Sequence, residues 1–487
     1  MIKKYSEALE EGRAAIFAGA GLSVGAGFVD WAGLLADVAA ALNVKIEPTT
    51  NLVELAQYYV NDTHSTTALS QAILDAFPSS TMPTENHRIL SSLPIKTYWT
   101  TNFDKLIERA LEAASKSYDV KALPERLAIS KSNCDVVVYK MHGDIDNPDK
   151  TILTRDHFER YPETHQPFLN NFEYDLANKT FLFLGLSFDD PNLREVLKYA
   201  RKLYHDNQRI HYYILKRATK QTTETDAQFE NRKRNQELFV EDMKNYGIQT
   251  VMIDDYAEIT EILYAVKNRY LRRTVFISGA AVEYGAYGED AVKDFVRNLS
   301  KDIIKSGFRI VNGYGLGFGN EVLAGAMEEL NDEHRPVDGN LIMKPFPQGI
   351  PDPRVLWTKY RTEMISSTGI TLFFLGNKKD KATGNTILSN GMREEFEISK
   401  KHGNLLVPIG ATGFVSKELW EEVYNEIKAG GSFEGYLPFV DVFKDLGDST
   451  LSLDKLHHEV MWLLKEVNKG TWGRVPVSRI IGVSNNQ

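Results

Sequence analysis

Three short segments of the chain place polar side chains directly after apolar runs. They are TTNFD at 100–104, KMHGD at 140–144 and GLSFDDPN at 185–192. In an open α/β sheet the carboxyl ends of the parallel strands meet at one crevice, so these polar side chains are predicted to lie near one another. An amide, a carboxylate and an imidazole in one crevice can orient a substrate and move a proton. The residues concerned are Asn102, Asp104, His142 and Ser187.

A fourth segment, FAGAGLSVGAGFVDW at 17–31, places four glycines directly after the apolar run AAIF. A strand, a glycine turn and a helix present backbone N–H groups to a phosphate, and the helix N-terminus adds partial positive charge. The spacing departs from G-x-G-x-x-G, and no acidic residue ends a second strand where a hydride-transfer enzyme holds the ribose. From the spacing alone, glycines that only form a turn are an equal alternative.

Each polar residue also has a purely structural interpretation. Asn102 and Asp104 would be explained equally by capping a helix that starts at Phe103, because Asn and Asp commonly do so. The structural alternative for His142 is a hydrogen-bonded histidine at the end of a strand, without a catalytic role. The occurrence of all four segments in one chain favours a functional site over these separate roles.

The segments belong to an alternation of short apolar runs and amphipathic helical stretches. Strands are predicted at 14–19, 95–102, 135–143, 179–187, 210–216 and 250–254. Continuous apolar runs of this length are typical of strands buried on both faces of a parallel sheet. Helices are predicted for DWAGLLADVAAAL with Asp30 as the N-cap, for FDKLIERALEAASK and for DPNLREVLKYARKLY. The first half is therefore predicted to be a doubly wound α/β domain.

A second unit of the same kind begins after a polar helix that ends near 271–273. Its predicted strands are TVFISG, FRIVNGYG, NLIMKPF, ITLFFLGN and LLVPIG, with the helices EDAVKDFVRNLSKDIIKSG and NEVLAGAMEEL among them. It has its own glycine loop, GYGLGFGNE at 313–321. We therefore predict an α/β protein of two Rossmann-like doubly wound domains, at 1–270 and 274–487.

The composition narrows the function classes. The 487 residues are 43% hydrophobic and 25% charged, and the net charge of −9 gives no support to binding of nucleic acid or an anionic membrane. No apolar run is long enough to span a bilayer, and the first residues lack the apolar core of a signal peptide. The single cysteine, Cys134, excludes an intrachain disulfide and fits a reducing compartment. A cytoplasmic protein is predicted, and the scattered histidines predict no metal site.

The segments GAGLSVGAGFVDW, TTNFD, KMHGD and GLS, in this order, resemble the NAD-binding core of the sirtuins over about residues 1–265. The resemblance implies that NAD⁺ is a substrate, cleaved between nicotinamide and ribose. It implies that Asn102 holds the ribose hydroxyls or the attacking water, that His142 is the general base and that Asp104 binds the carboxamide. The remaining NAD-binding residues that it implies are Ala18, Gly19, Ala20, Gly21, Ser23, Asp30, Gly185 and Ser187.

Two departures from the sirtuin pattern bear on the acceptor. Sirtuins that deacylate proteins carry a four-cysteine zinc module, which one cysteine cannot build. Trp31-Ala32 stands where many sirtuins have Phe-Arg. Both departures favour water as the acceptor, which gives ADP-ribose and free nicotinamide. A zinc-free NAD-dependent protein deacylase and a non-catalytic nucleotide-binding scaffold are the alternatives.

The segments ISGAAVEY, NGYGLGFGNEVLAGAMEE, YRTEM and GMREEF resemble the SLOG family, the Rossmann-like group that includes LOG-type phosphoribohydrolases. The LOG motif P-G-G-x-G-T-x-x-E is replaced here by ILSNGMREE, which keeps Gly391 and Glu395 but lacks the Pro-Gly-Gly. The resemblance therefore implies a domain that binds a phosphate-bearing ligand rather than a second enzyme. A solvated ion pair between Arg361 and Glu395 is the alternative. The implied ligand-binding residues are Gly279, Gly313, Gly315, Gly317, Gly319, Lys344, Arg361 and Glu395.

A sirtuin-like half followed by a SLOG half is similar to the layout of the effector family of Thoeris, a bacterial antiphage defence system. This resemblance implies an NAD⁺ glycohydrolase that is activated when a cyclic ADP-ribose isomer binds the SLOG domain. The isomer would be made by a partner enzyme with a TIR domain, and the loss of NAD⁺ would halt the infected cell. The resemblance also implies a homotetramer assembled through the sirtuin-like halves.

Overall fold

The structure is a computed structural model, and its contacts divide the chain into unit 1, Met1–Tyr264, and unit 2, Ala265–Gln487. It describes residues 1–469 except for 30, 48–49, 79, 187, 189–192, 195, 199–200, 202–208, 348–349, 351–352, 381 and 431–432. Each unit is an α/β domain whose main sheet is parallel throughout. Two Rossmann-like domains, one after the other, are therefore the fold of the chain.

The sheet of unit 1 contains seven strands within the described residues, in the order β3-β4-β2-β1-β5-β6-β7. The strands are β1 Ala14–Ala18, β2 Thr97–Thr100, β3 Tyr118–Lys121, β4 Val136–Lys140, β5 Thr180–Leu184, β6 His211–Lys216 and β7 Ile248–Ile253. All five residues of β1 and of β5 are buried, as expected for central strands covered on both faces. The chain passes from β1 to β2 on one side and later to β5 on the other, so the order reverses at β1.

Helices cover both faces of this sheet and bury its apolar side chains. They are α1 Ile2–Glu10, α2 Trp31–Leu34, α3 Ala36–Ala41, α4 Leu52–Thr63, α5 Thr67–Ala76, α6 Glu85–Ser92, α7 Leu106–Ala113, α8 Pro124–Leu127, α9 Arg155–Thr164, α10 Gln166–Asn178, α11 Asp226–Lys244 and α12 Ala257–Leu271. One aromatic core surrounds Trp99, Phe172 and Phe183. A second core joins α2–α5 to Phe103 and Leu106, at the start of α7. This second core supports the loop that follows β2.

Unit 2 repeats the architecture with a five-stranded sheet in the order β10-β9-β8-β11-β14, again counted over the described residues. The strands are β8 Thr274–Ala280, β9 Arg309–Asn312, β10 Leu341–Met343, β11 Ile370–Leu375, the hairpin β12 Asn377–Lys379 and β13 Thr386–Leu388, and β14 Leu405–Pro408. The helices are α13 Glu289–Lys305, α14 Gly319–Asp332, α15 Arg354–Ser366, α16 Asn390–Lys401, α17 Phe414–Ala429, α18 Val440–Asp445 and α19 Leu453–Asn468. The strand order reverses between β8 and β11.

Several predicted elements differ from those in the structure. The helix predicted for DWAGLLADVAAAL is interrupted at Leu35, and the helix predicted from Phe103 begins at Leu106. The edge strand β3 and the hairpin β12–β13 were not predicted, because each of their strands is only three or four residues long. Most of DPNLREVLKYARKLY lies outside the described residues. In the part of the chain that is described, no helix is both long and apolar enough to cross a membrane.

Candidate functional site

The loops after β1, β2, β4 and β5 meet at the carboxyl edge of the first sheet. The N–H of Gly19 donates to the carbonyl of Leu184 at 2.9 Å, which links the loop after β1 to the end of β5. The N–H of Met141 donates to the carbonyl of Thr100 at 3.0 Å, which links the end of β4 to the end of β2. The polar segments predicted from the sequence therefore lie on adjoining strand tips.

Asn102 is held in one orientation by the glycine loop. Its Nδ2 donates to the Gly19 carbonyl at 3.0 Å and to Ser23 Oγ at 3.1 Å. The nitrogen and oxygen of a side-chain amide can be exchanged by a flip, and these two acceptors identify the atom that faces them as the nitrogen. The opposite atom, Oδ1, is buried and has no hydrogen-bond partner among the described residues. A buried carbonyl without a donor is costly, so this oxygen is suited to accept a hydrogen bond from a ligand or water.

Ser23 joins Asn102 to Asp104. Its hydroxyl accepts from the Asn102 amide and donates to Asp104 Oδ2 at 2.7 Å. The other carboxylate oxygen of Asp104 accepts from the N–H of Leu106 at 2.9 Å, at the start of α7. Asp104 therefore bonds to the first residue of α7, although the N-cap position of that helix is Lys105. The side chain of Asn102 does not cap the helix and bonds to the glycine loop instead.

A small cleft lies beside these side chains. Its polar wall is Ser23, Asn102 and Asp104, and its apolar wall includes Trp31, Leu34 and Phe77. The apolar wall was not predicted, since aromatic and aliphatic residues at helical spacing look like ordinary core in a sequence. Of these apolar residues, only Trp31 could have been noticed in the sequence, because it follows the glycine-rich segment.

His142 lies at the neighbouring strand tip but does not line this cleft. It is buried, and its ring packs edge-on against Phe158, with the ring centroids 5.2 Å apart. Its carbonyl accepts from the N–H of Ile152 at 2.9 Å. The hydroxyl of Tyr161 donates to the carbonyl of the preceding residue, Met141, at 2.9 Å. The structure thus brings Ser23, Asn102 and Asp104 together, with His142 on the adjacent tip.

Two of the glycines after β1, Gly19 and Gly21, are required by close packing against the loop after β5. A Cβ on Gly19 would lie 2.4 Å from the carbonyl oxygen of Gly185, and a Cβ on Gly185 would lie 2.3 Å from the nitrogen of Leu22. Gly185 also has a positive φ of +63°. The N–H groups of Gly19, Gly21, Leu22 and Ser23 all donate to carbonyls of these two loops.

These hydrogen bonds bear on the prediction that the N–H groups of the glycine loop bind the pyrophosphate of NAD⁺. Four of the loop's N–H groups have backbone acceptors in this structure, so binding a pyrophosphate there would require them to exchange partners. Ala18 ends β1, and its carbonyl accepts from the N–H of Thr101 at 3.3 Å. Ala20 lines the cleft. Two further predicted NAD-binding residues, Asp30 and Ser187, lie outside the described residues.

Unit 2 places its glycine loop against the end of β8. A Cβ on Gly315 would lie 2.1 Å from the carbonyl oxygen of Gly279, and a Cβ on Gly317 would lie 2.0 Å from that of Ala281. Gly313 faces the ring of Phe346, and Gly319 begins α14. The predicted loop residues therefore form one tightly packed turn between β9 and a helix N-terminus.

Arg361 and Glu395 meet at the same edge of this sheet. Arg361 Nε lies 3.2 Å from Glu395 Oε1, and its Nη1 lies 2.8 Å from Glu394 Oε2. Ser278 Oγ donates to Glu395 Oε2 at 2.5 Å, and burial raises the pKa of the Glu395 carboxyl, with Arg361 acting in the opposite sense. The ion pair considered as an alternative is therefore present, but it is mostly buried rather than solvated, since the side chains of Arg361 and Glu395 are each 11% exposed.

Aromatic rings border this ion pair. The Arg361 guanidinium lies 4.8 Å from the centre of the Phe346 ring, and Lys344 Nζ lies 5.7 Å from the centre of the Tyr360 ring. Two cations, two carboxylates and a glycine loop at one sheet edge can bind a ligand that carries both phosphates and hydroxyl groups. Among the described residues, no group of three or more His, Cys, Asp or Glu side chains is arranged to hold a metal ion.

Comparison with known proteins matches both units. Residues 96–239 match the SIR2-like domain, and residues 258–467 match the Sir2- and TIR-associating SLOG family. A protein of Bacillus cereus named NAD(+) hydrolase ThsA is 42% identical over 94% of this chain and 96% of its own length. Proteins of the same name from Acinetobacter baumannii and Enterococcus faecium are 40% and 42% identical, over 95% and 94% of this chain and 98% and 95% of their own lengths.

Proposed function

The chain belongs to the family of the NAD(+) hydrolases ThsA, and from that premise we propose that its first unit cleaves the bond between nicotinamide and ribose in NAD⁺. The observation that carries the assignment to a site is the fixed amide of Asn102, whose Oδ1 is buried and without a hydrogen-bond partner among the described residues. A carbonyl oxygen held in this way can bind a ribose hydroxyl or the attacking water.

The reaction requires the protein to orient NAD⁺ and the attacking water and to accept one proton. The C1′–N bond breaks, its electron pair leaves with nicotinamide, and the ribose becomes oxocarbenium-like. Water then adds its oxygen to C1′ and loses a proton, which gives ADP-ribose. We assign the binding of the ribose hydroxyls or the water to Asn102, the binding of the carboxamide to Asp104 and the acceptance of the proton to His142.

Water is the acceptor that this proposal favours over an acyl-lysine peptide. The single cysteine cannot supply a four-cysteine zinc module, and Trp31 forms part of the cleft wall. A zinc-free deacylase is the second candidate, and it predicts that NAD⁺ is consumed only when an acylated peptide is present.

We assign unit 2 the role of a sensor for a cyclic ADP-ribose isomer. The glycine loop at 313–319 and the Arg361 guanidinium would hold its phosphates, with Lys344 adding a second cation beside the site. Glu395, already an acceptor for Ser278, would accept a hydrogen bond from a ribose hydroxyl. The name of the matching family includes association with TIR, which supports a TIR-domain enzyme as the source of the isomer.

The biological setting that we propose is antiphage defence. Activated hydrolysis would exhaust NAD⁺ in an infected bacterium and halt its growth. A longer protein, Defense-associated sirtuin 2 of Bacillus subtilis, is 24% identical over 47% of this chain and 23% of its own length. We expect the protein to act in the cytoplasm, where NAD⁺ is abundant, and to assemble as a homotetramer.

The proposal is tested by chromatography of NAD⁺ incubated with the full chain, with and without cyclic ADP-ribose isomers. Nicotinamide and ADP-ribose should appear without any peptide and increase when the activating isomer is added. Asn102→Ala should abolish the release of nicotinamide, whereas the exposed control Asn245→Ala should behave as the natural protein. Unchanged NAD⁺ with every isomer would favour a non-catalytic scaffold.

A second pair of variants tests the proposed sensor role of unit 2. Arg361→Ala should remove the stimulation, because it deletes the cation that would bind the isomer's phosphates. Arg393→Ala, on the neighbouring helix α16 and paired with Glu422 at 2.7 Å near the surface, should retain it. Normal stimulation of Arg361→Ala would show that the isomer binds elsewhere.

A further inference from the structure

One ammonium group is buried directly beneath the two strand tips that carry Asn102 and His142. Lys140 is the last residue of β4, and none of its surface is exposed. A lysine is seldom fully buried unless its charge is paired, so its partners have to be identified. The sequence offered a weak signal for it, a lone cation within the apolar run VVVYKMHG.

The three shortest contacts of the Lys140 ammonium group are with residues of both strand tips. Its Nζ donates to the backbone carbonyl of Asp104 at 2.6 Å, two residues beyond Asn102. It lies 2.7 Å from Asp144 Oδ2, two residues beyond His142, and 2.7 Å from Glu108 Oε1 in the first turn of α7. One ammonium group therefore hydrogen-bonds a backbone carbonyl and forms ion pairs with two carboxylates, on two segments of the chain.

The surrounding bonds extend this connection. Asp144 Oδ1 accepts from the N–H of Asp146 at 2.9 Å, which fixes the turn after His142. The N–H of Ile145 donates to the carbonyl of Phe103 at 3.1 Å, a direct backbone link between the two tips. The carboxylate of Asp144 thus bonds both to the ammonium and to its own turn.

We infer that Lys140 is a positioning residue for the cleavage of NAD⁺: by binding Asp104, Glu108 and Asp144 at once, it sets the separation and orientation of the loops that carry Asn102 and His142. This inference rests on the proposed function. A buried ion cluster adds little net stability compared with apolar side chains of the same volume, so stability alone does not account for a lysine here. Placing an amide and a base on separate strand tips requires a fixed spacing, and a misplacement of about 1 Å costs about 100-fold in rate.

The test compares Lys140→Met with Lys121→Met. Lys121 is also a buried lysine of this sheet, paired with Asp119 at 2.7 Å, but it ends the edge strand β3. The double variant Lys140→Met/Glu108→Gln removes one of the two carboxylates that the single variant leaves unpaired, in case the single variant does not fold. Crystal structures of the variants and the kinetics of nicotinamide release are measured for each.

We expect the Lys140 variants to lower kcat by about 100-fold with a smaller change in KM, because the lost interaction sets the spacing between the two tips that carry the reacting groups. Their crystal structures should show segments 101–104 and 141–144 displaced from each other, and Lys121→Met should show neither effect. Superimposable tips, or displaced tips with full activity, would overturn the inference. If the natural protein releases no nicotinamide, the proposed function fails, whereas the crystal structures still decide what Lys140 positions.

Discussion

At the scale of single residues, Ser23 makes contacts that the sequence resemblance did not predict. The resemblance placed it among residues that wrap the phosphates of NAD⁺. In the structure its hydroxyl connects the Asn102 amide to the Asp104 carboxylate. The hydroxyl therefore fixes which face of the amide is available to a ligand, and it does so before any dinucleotide binds.

Ser23→Ala should lower kcat for NAD⁺ cleavage by about fivefold, because the loss of the hydrogen bond from Asn102, worth about 1 kcal/mol, lets the Asn102 amide adopt other orientations. Steady-state kinetics of nicotinamide release measure this change. The matched control is Ser91→Ala, which removes another serine that is 3% exposed but donates only to the carbonyl of Arg88. Equal effects of the two variants would contradict the role given to Ser23.

His211 gives a residue-scale prediction for stability. Its Nδ1 accepts from the N–H of Phe181 at 3.2 Å, so the ring is neutral, and burial, assisted by Arg209, lowers its pKa to about 3. An unfolded histidine has a pKa of about 6.5, so the unfolded chain takes up a proton first as the pH falls. The stability that His211 contributes is therefore complete above about pH 6.5 and is lost progressively toward pH 3.

His211→Asn should flatten the dependence of stability on pH between 6.5 and 4, by up to about 1.4 kcal/mol per pH unit. Melting temperatures at pH 7, 6 and 5 measure this, relative to the natural protein. His64→Asn is the control, since His64 is exposed and its positive φ of 53° suits asparagine. A pH dependence of His211→Asn that parallels that of the natural protein would contradict the assignment.

At the scale of elements, the buried central strands could be predicted from the sequence, and short or edge elements could not. The apolar runs of β1 and β5 are continuous because both faces are covered. β3 has only one neighbour, and three of its four residues are partly exposed, so YDVK has no apolar run to reveal it. The start of α7 was misplaced because residues 103–105 belong to the loop before the helix, whose N-cap is Lys105.

In the candidate site, too, some residues could be predicted from the sequence and others could not. The polar residues of the strand tips could be predicted, since the topology of a parallel sheet brings such tips together. The cleft wall at Phe77 and the ammonium of Lys140 could not, because their places depend on how distant helices and strands pack. The glycines were recognised, yet the reason for them was only visible in three dimensions, where one loop packs on another.

The pair Gly185→Ala and Gly12→Ala separates crowding from backbone strain. Both glycines have a positive φ, of +63° and +67°, but a Cβ would meet the nitrogen of Leu22 only at position 185, and nothing lies within 4 Å at position 12. Gly12→Ala should cost about 1–2 kcal/mol, and Gly185→Ala about a further 1–3 kcal/mol. Only Gly185→Ala should also reduce NAD⁺ cleavage, because it displaces the loop that holds Asn102.

Thermal unfolding and nicotinamide release together measure both effects. Equal destabilisation by the two variants, with activity retained in both, would show that the contact between the loops after β1 and β5 is dispensable.

At the scale of the whole molecule, two domains of the same architecture would have different tasks, hydrolysis in the first and sensing in the second. Regulation of one by the other requires a coupling free energy, and coupling between two binding sites is reciprocal. If the isomer increases the affinity for NAD⁺, then NAD⁺ increases the affinity for the isomer by the same factor.

The non-cleaving variant Asn102→Ala makes this reciprocity measurable. Titration calorimetry of the activating isomer should give tighter binding when NAD⁺ is present, by about the factor by which the isomer tightens binding of NAD⁺. Arg361→Ala should show no binding of the isomer under either condition. An isomer affinity that NAD⁺ leaves unchanged would mean that activation acts on the rate of cleavage and not on substrate affinity.

The most direct measurement is a crystal structure of His142→Ala with NAD⁺, since this variant retains Asn102 and should leave the dinucleotide intact. We expect the nicotinamide ribose beside Asn102, with a hydroxyl within about 3.2 Å of its Oδ1, and the carboxamide at Asp104. The face of the ribose opposite nicotinamide should be turned toward position 142. NAD⁺ bound away from Asn102, or with position 142 facing a different cavity, would contradict the account.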